Sequence, residues 1–179
     1  MVSDADEIRT IPDPGFAGDD GSADPALSAL LAAWSAGAAD RVDVIAALQQ
    51  SRLLVPVVAV LGEVEYDEAG LAHDKSSDMA TVLLQGADGR MALLAFTGSA
   101  TLAAWNPEAR PVPTATPLAA QAAVQDGADA LLVDVAGPVR FVIEGDDLRG
   151  LAQGWTLARV GAGAAWIRPT GESSASIPC

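Results

Sequence analysis

Cysteine, histidine, lysine and tyrosine occur once each in this 179-residue chain. A lone cysteine, Cys179, excludes an internal disulfide. At the end of a polar stretch it has neither the base nor the oxyanion pocket that a nucleophile needs, so it reads as a dangling thiol. A lone His73 leaves zinc short of nitrogen and sulfur ligands. The neighbouring acids Asp67, Glu68, Asp74 and Asp78 lack the alternating spacing of a calcium loop, so neither a metal nor a cofactor is expected. Basic residues number 10 against 24 acidic ones, a formal net charge of -14, which argues against nucleic acid and anionic membrane surfaces as partners. Long apolar runs are missing too: Leu53 to Leu61 is interrupted by Pro56 and is far too short to cross a bilayer. The opening residues, MVSDADEIRT, carry no basic n-region or apolar h-region, so no secretory signal is expected and a cytoplasmic location is. Aromatics are only 4% of the chain, which predicts an aliphatic core with four tryptophans as its few large pieces.

What the chain does have is regular punctuation. From Asp78 to Trp105 it reads as strand, tight turn, strand and helix. Met79 to Leu84 and Met91 to Phe96 are apolar runs of strand length. Asp88-Gly89 between them suits a turn in which both central residues take positive φ. Ser99 is placed to cap a helix carrying Leu102 and Trp105. A second unit repeats this order: strands at Ala130 to Val135 and Val139 to Ile143 around Ala136-Gly137-Pro138, a helix capped by Asp146, then Trp155.

The flanks complete the plan. Residues 1–23, rich in Asp, Gly, Pro and Ser, are expected to form a disordered acidic arm. Asp24-Pro25 opens a helix whose apolar face is Leu27, Leu30, Leu31 and Trp34, and Gly37 closes it. Asp40 opens a second helix with Val44, Ile45 and Leu48 inward. Arg52 to Leu61 is a nearly continuous apolar strand, buried on both faces, with Pro56 marking an unpaired edge position. Arg110-Pro111-Val112-Pro113 must be extended. Thr116-Pro117 opens a helix to Gln125, with Gly127 as its C′ residue. Short strands follow within Thr156 to Ile167, and 169–179 is a polar, flexible tail. The expectation is an α+β domain over 24–168: a mixed, largely antiparallel sheet built from two β-hairpins plus a further strand, with helices packed on it.

Val55-Pro56-Val57, Lys75 with Asp78-Met79, Asp88-Gly89-Arg90, Ala95-Phe96-Thr97, Ala104-Trp105 and Arg110 to Pro113 occur in that order. Gly127-Ala128-Asp129-Ala130-Leu131 and Ala136-Gly137-Pro138 follow. In order and spacing they resemble the N-terminal domain of the SseB (enhanced serine sensitivity) family, in a short single-domain form, over about residues 52 to 153. The resemblance implies a domain of unestablished biochemical role and brings no catalytic residues with it.

Neither Gly86-Ala87-Asp88-Gly89 nor Gly161-Ala162-Gly163 joins a strand to a helix with the lysine a phosphate loop requires. Lys75, beside Asp74 and Asp78, reads as a surface ion pair rather than a Schiff-base former. Trp105 near Arg110 suits a cation–π contact or a partner patch, against the ordinary reading of core packing. The segment 62–77 interrupts two apolar strands with Glu63, Glu65, Asp67 and Glu68, then Lys75, with Asp78 at its exit. Connections of that length on a rigid sheet tend to carry binding residues. The expectation is a noncatalytic cytoplasmic module that binds a protein partner through Glu63, Glu65, Asp67, Glu68, Lys75 and Asp78. The alternative is a small-molecule sensor or enzyme with its site on the loops around 62–78 and 110.

Overall fold

The computed structural model describes residues 15–60, 78–161 and 163–169. Two helices lead: α1 (Pro25–Ser35), where the Asp24 carboxylate accepts the Ala26 N–H at 2.8 Å, and α2 (Arg41–Gln49). Asp40 stands at the N-cap of α2 as expected, but its side chain makes no capping bond. Strand β1 (Arg52–Val60) follows and pairs antiparallel with β2 (Asp78–Thr81), closing on the pair Val60↔Asp78.

The apolar run from Met79 to Leu84, expected as one strand, is two. It breaks at Val82, and β3 (Leu83–Gln85) turns away to pair with β4 (Met91–Ala95) in a different sheet. The turn between them is also not the one expected, because Asp88 is not at positive φ. Gly89 donates to the Gly86 carbonyl (3.0 Å), Gly86 donates to Arg90 (2.8 Å), and only Gly89, at φ 83°, is left-handed. That is a type I turn followed by a glycine bulge. A Cβ at Gly89 meets nothing within 4 Å, so Gly89→Val is a clean measure of backbone strain. It should lose about 1–2 kcal/mol, read as a shift of the urea midpoint at unchanged slope; wild-type behaviour would mean that the turn is of another type.

Helix α3 (Ser99–Trp105) has Gly98, not Ser99, at its N-cap. Strand β5 (Arg110–Ala115) is extended as its prolines require and runs along the other side of β1. Helix α4 (Thr116–Gln125) starts at Thr116 rather than after it. The Thr116 hydroxyl donates instead to the Ser51 carbonyl at 2.9 Å. At its end, Gly127 (φ 75°) donates to Val124, and Ala128 donates to Ala123, the paired bonds of a glycine C-cap. Strand β6 (Ala130–Val133) lies parallel to β4 and antiparallel to β7 (Phe141–Glu144). Helix α5 (Gly145–Ala152) takes Glu144 as N-cap, two residues before the expected Asp146, which sits in its first turn. The hairpin of β8 (Thr156–Val160) and β9 (Gly163–Ile167) ends the described chain.

The strands sort into orders β2-β1-β5, β3-β4-β6-β7 and β8-β9. Among the described residues all pairings are antiparallel except β4 with β6, so the α+β class stands while the expected single sheet becomes three. The first two are stitched by Leu54 and Phe96, which exchange backbone hydrogen bonds of 2.8 and 2.9 Å. Pro56 lies between that bridge and the first β2 pair, in the gap where a missing N–H matters least.

Alternation then sorts the core. Leu53, Val55, Leu93, Ala95, Leu131 and Val133 face a large cluster with Leu27, Leu31, Val44, Ile45, Leu48 and Leu151. Leu54, Leu94, Phe96 and Leu132 face a smaller one with Leu102. Trp105 is core, stacked on Phe96 with centroids 5.5 Å apart.

The expected arm to residue 23 includes a docked stretch. The Asp19 carboxylate is held by the Arg52 guanidinium at 2.5 and 2.8 Å. Those bonds, and then the Gly21 N–H, hold its carboxyl below the ordinary 3.8. The pair's contribution to stability is therefore complete above that value and lost as pH falls through the lower folded one.

Candidate functional site

The β8–β9 hairpin does not extend either large sheet; it leans on α2 and α5, and the space it leaves is a groove of about 610 Å³. Each attachment is specific. The Gln49 side chain at the end of α2 donates to the Trp155 carbonyl and accepts the Leu157 N–H at 3.3 Å, as a paired backbone would. Arg159 of β8 bonds the Asp43 carboxylate and stands 3.6 Å from Asp40. That contact holds the Asp43 carboxyl below its ordinary value. On the α5 side, Trp166 lies flat against Gly150, where a Cβ would stand 2.2 Å from the ring. Its indole N–H donates to Asp147 at 3.2 Å.

The floor and rim combine charge with aromatic surface. Arg41 bonds the second Asp147 oxygen (3.2 Å) and the Val142 carbonyl (2.8 Å), with its guanidinium 4.8 Å from the centroid of the Phe141 ring. Trp34 meets the same ring edge-on at 4.8 Å. Arg149 and Asp146 pair within α5 at 3.2 Å and are largely exposed, at 66% and 84%. Arg168 lies 5.0 Å from the Trp155 ring centroid. Trp155 and Trp166 are half-buried, each presenting part of an indole to solvent beside paired charges. Such a surface can hold an apolar side chain against an indole while Arg149 or Asp146 orients a polar neighbour.

Arg110, expected beside a site, does not line this groove. Glu63, Glu65, Asp67, Glu68 and Lys75 lie outside the described residues, as do His73, Asp74 and Cys179. Asp78 is the first residue of β2, paired with Val60. Arg110 opens β5 and is exposed. The groove draws on α2, α5 and the hairpin, over a hundred residues apart, so no local motif marks it. Gly150 inside a helical pattern, followed by two tryptophans, is the one signal that sequence offered.

A family model described as the SseB protein N-terminal domain matches residues 27–150, most of the chain. The chain belongs to this family. No curated protein and no solved structure matches it. The matched SseB span covers the helices, both large sheets and α5 up to Gly150. Residues 15–26 and the β8–β9 hairpin lie beyond it. The groove is thus walled on one side by the SseB domain and on the other by the chain that follows it. Among the described residues no helix is long and apolar enough to cross a membrane.

Proposed function

We propose that this SseB-family protein is a noncatalytic, cytoplasmic binding and regulatory module whose partner is another protein. The observation that carries this reading is the groove, where two half-exposed indoles stand beside Arg149, a combination enriched at energetically important interface positions. Val160 and Ile167, 61% and 52% exposed, lie on the other face of the hairpin from Leu157 and Trp166 and give it a second apolar surface. The acidic segment 62–77, with Glu63, Glu65, Asp67, Glu68, Lys75 and then Asp78, is the second part of the surface, one that recruits a basic patch. Of the residues that flank it, Val60 and Asp78 are antiparallel partners. A net charge of -14 favours such a partner over any acidic surface at long range.

Two variants test this in an affinity pull-down from the native host. Arg149→Glu reverses a groove charge whose pairing lies within its own helix, so the fold is spared. Replacing Glu63, Glu65, Asp67 and Glu68 together with Ser removes the acidic contribution. Each should reduce partner recovery, the second most at low salt, where screening is weakest. Wild-type recovery by both variants at low and moderate salt would sink the reading.

The groove's 610 Å³ also falls in the range of small-ligand sites, which favours a sensor as second reading over an enzyme around 62–78 and 110. Quenching of tryptophan fluorescence by a metabolite, abolished in Trp155→Leu, would support it.

A further inference from the structure

Arg52 sits where no residue of the groove reaches, at the start of β1 beside the carboxyl end of β4. Its side chain is 13% exposed, in a chain poor in cations. The guanidinium forks onto Asp19, Nε to Oδ2 at 2.5 Å and Nη2 to Oδ1 at 2.8 Å. It also donates from Nη1 to the Thr97 carbonyl (2.6 Å) and from Nη2 to the Ser22 carbonyl (2.7 Å). Next to it the Ser99 N–H donates to the Gly21 carbonyl at 2.7 Å. Of these partners only Thr97 belongs to the sheet-and-helix body; the rest come from residues 19–22.

That segment lies on the surface. None of residues 15–24 is buried. Gly15, Gly18 and Gly21 all stand at positive φ, so docking fixes a backbone with unusual freedom to lose. Beneath it lie cavities of about 310 Å³, lined by Phe16, Arg52 and Thr97 among others, and about 160 Å³, lined by Ala23, Leu31 and Asp134 among others. Lift the segment away, and the Arg52 guanidinium fork and the Ser99 N–H converge on one empty place. The Thr97 carbonyl still orients the guanidinium there, and its fork presents the two parallel N–H groups that a carboxylate fits.

We propose that Arg52, the Ser99 N–H and the Thr97 carbonyl form a binding site for an acidic peptide segment, closed in cis by Asp19 to Ser22. The ligand has the chemistry of the segment it displaces: a carboxylate for the Arg52 fork, and two residues later a glycine carbonyl for Ser99. Glycine suits that position because Gly21 stands at φ 78°, and a Cβ there would also force Ser99 Oγ, 2.1 Å away, to turn aside. This site goes beyond the groove reading and does not depend on it.

The test uses the full chain and a fluorescent synthetic peptide with the sequence of residues 15–24. In the wild type the tethered segment competes at an effective concentration on the order of millimolar, so micromolar peptide should leave anisotropy unchanged. Gly21→Val ejects the tethered segment by its φ and by the Ser99 clash, and this variant should bind the peptide at least about tenfold more tightly than the wild type. Adding Arg52→Gln, or Asn for Asp19 in the peptide, should cost about tenfold or more, the scale of a bidentate charge-assisted pair. Should Gly21→Val not fold, Asp19→Ser opens the site without touching the backbone, and the same comparisons apply. A folded, opened variant that ignores the peptide, or binds it equally well without Arg52, overturns the proposal.

Discussion

Asp134→Ala should lower the unfolding free energy by about 3 kcal/mol, a large share of the stability of an ordinary domain. Asp134 follows β6, 3% exposed, and its carboxylate accepts both the N–H (2.9 Å) and the hydroxyl (2.7 Å) of Thr97, which follows β4. Thr97 is itself only 4% exposed, so removing the carboxylate strands a buried N–H, worth about 1–3 kcal/mol. Asp134 is also the one non-glycine among the described residues at positive φ, 54°. Alanine tolerates that region less well than aspartate, which adds about 1 kcal/mol. Asp134→Asn separates the two causes. It keeps an acceptor for the Thr97 N–H and the tolerance of positive φ, so its loss should be about 1 kcal/mol. Urea titrations giving equal losses for Ala and Asn would mean that the hydrogen bonds to Thr97 contribute little.

Gly150→Val is the second large effect, and helix propensity alone gives it the wrong sign. Glycine inside a helix costs about 1 kcal/mol relative to alanine, so adding a side chain at Gly150 would stabilise an isolated α5. Here the added carbon falls 2.2 to 2.6 Å from three atoms of the Trp166 ring. Overpacking of this kind costs about 1–3 kcal/mol, and with Trp166 displaced its bond to Asp147 goes as well. A net loss of about 3 kcal/mol is expected for Val and a smaller one for Ala, with a red-shifted tryptophan emission as the hairpin lifts. Wild-type emission in a folded Val variant would show that Trp166 does not rest on α5.

Where local chemistry decides, the sequence could be read. Asp24-Pro25 opens α1, Arg110 to Pro113 is extended, and Gly127 ends α4 because the reasons lie within a few residues of each. Where a distant partner decides, it could not. Val82 offers no cue that the chain changes sheets, since both halves of the run are apolar and differ only in which strand lies beside them. Ser99, Thr116 and Asp146 all have capping chemistry yet stand inside their helices. Thr116 shows the cause most plainly, its hydroxyl being taken by Ser51, 65 residues away. Asp19 sits in a stretch whose composition says disorder, and only Arg52, 33 residues on, gives it a place. The groove is hidden for the same reason: Arg41, Asp147 and Trp166 come together only once α2, α5 and the hairpin are packed.

The order in which the chain visits its sheets bears on how it folds. It lays β1 and β2 in one sheet and β3 and β4 in the next, returns to the first with β5, and crosses again to place β6 beside β4. The crossover between the parallel strands is thus also an edge strand of the neighbouring sheet. β6 joins β4 only across a connection that contains β5, and the closing pairs are far apart in sequence, Arg52 with Ala115 and Ala92 with Ala130. Such long-range closure makes folding slow relative to a helical chain of this size. It also ties the two sheets into one kinetic unit, in which strain introduced at β5 is felt as a delay in forming β4–β6.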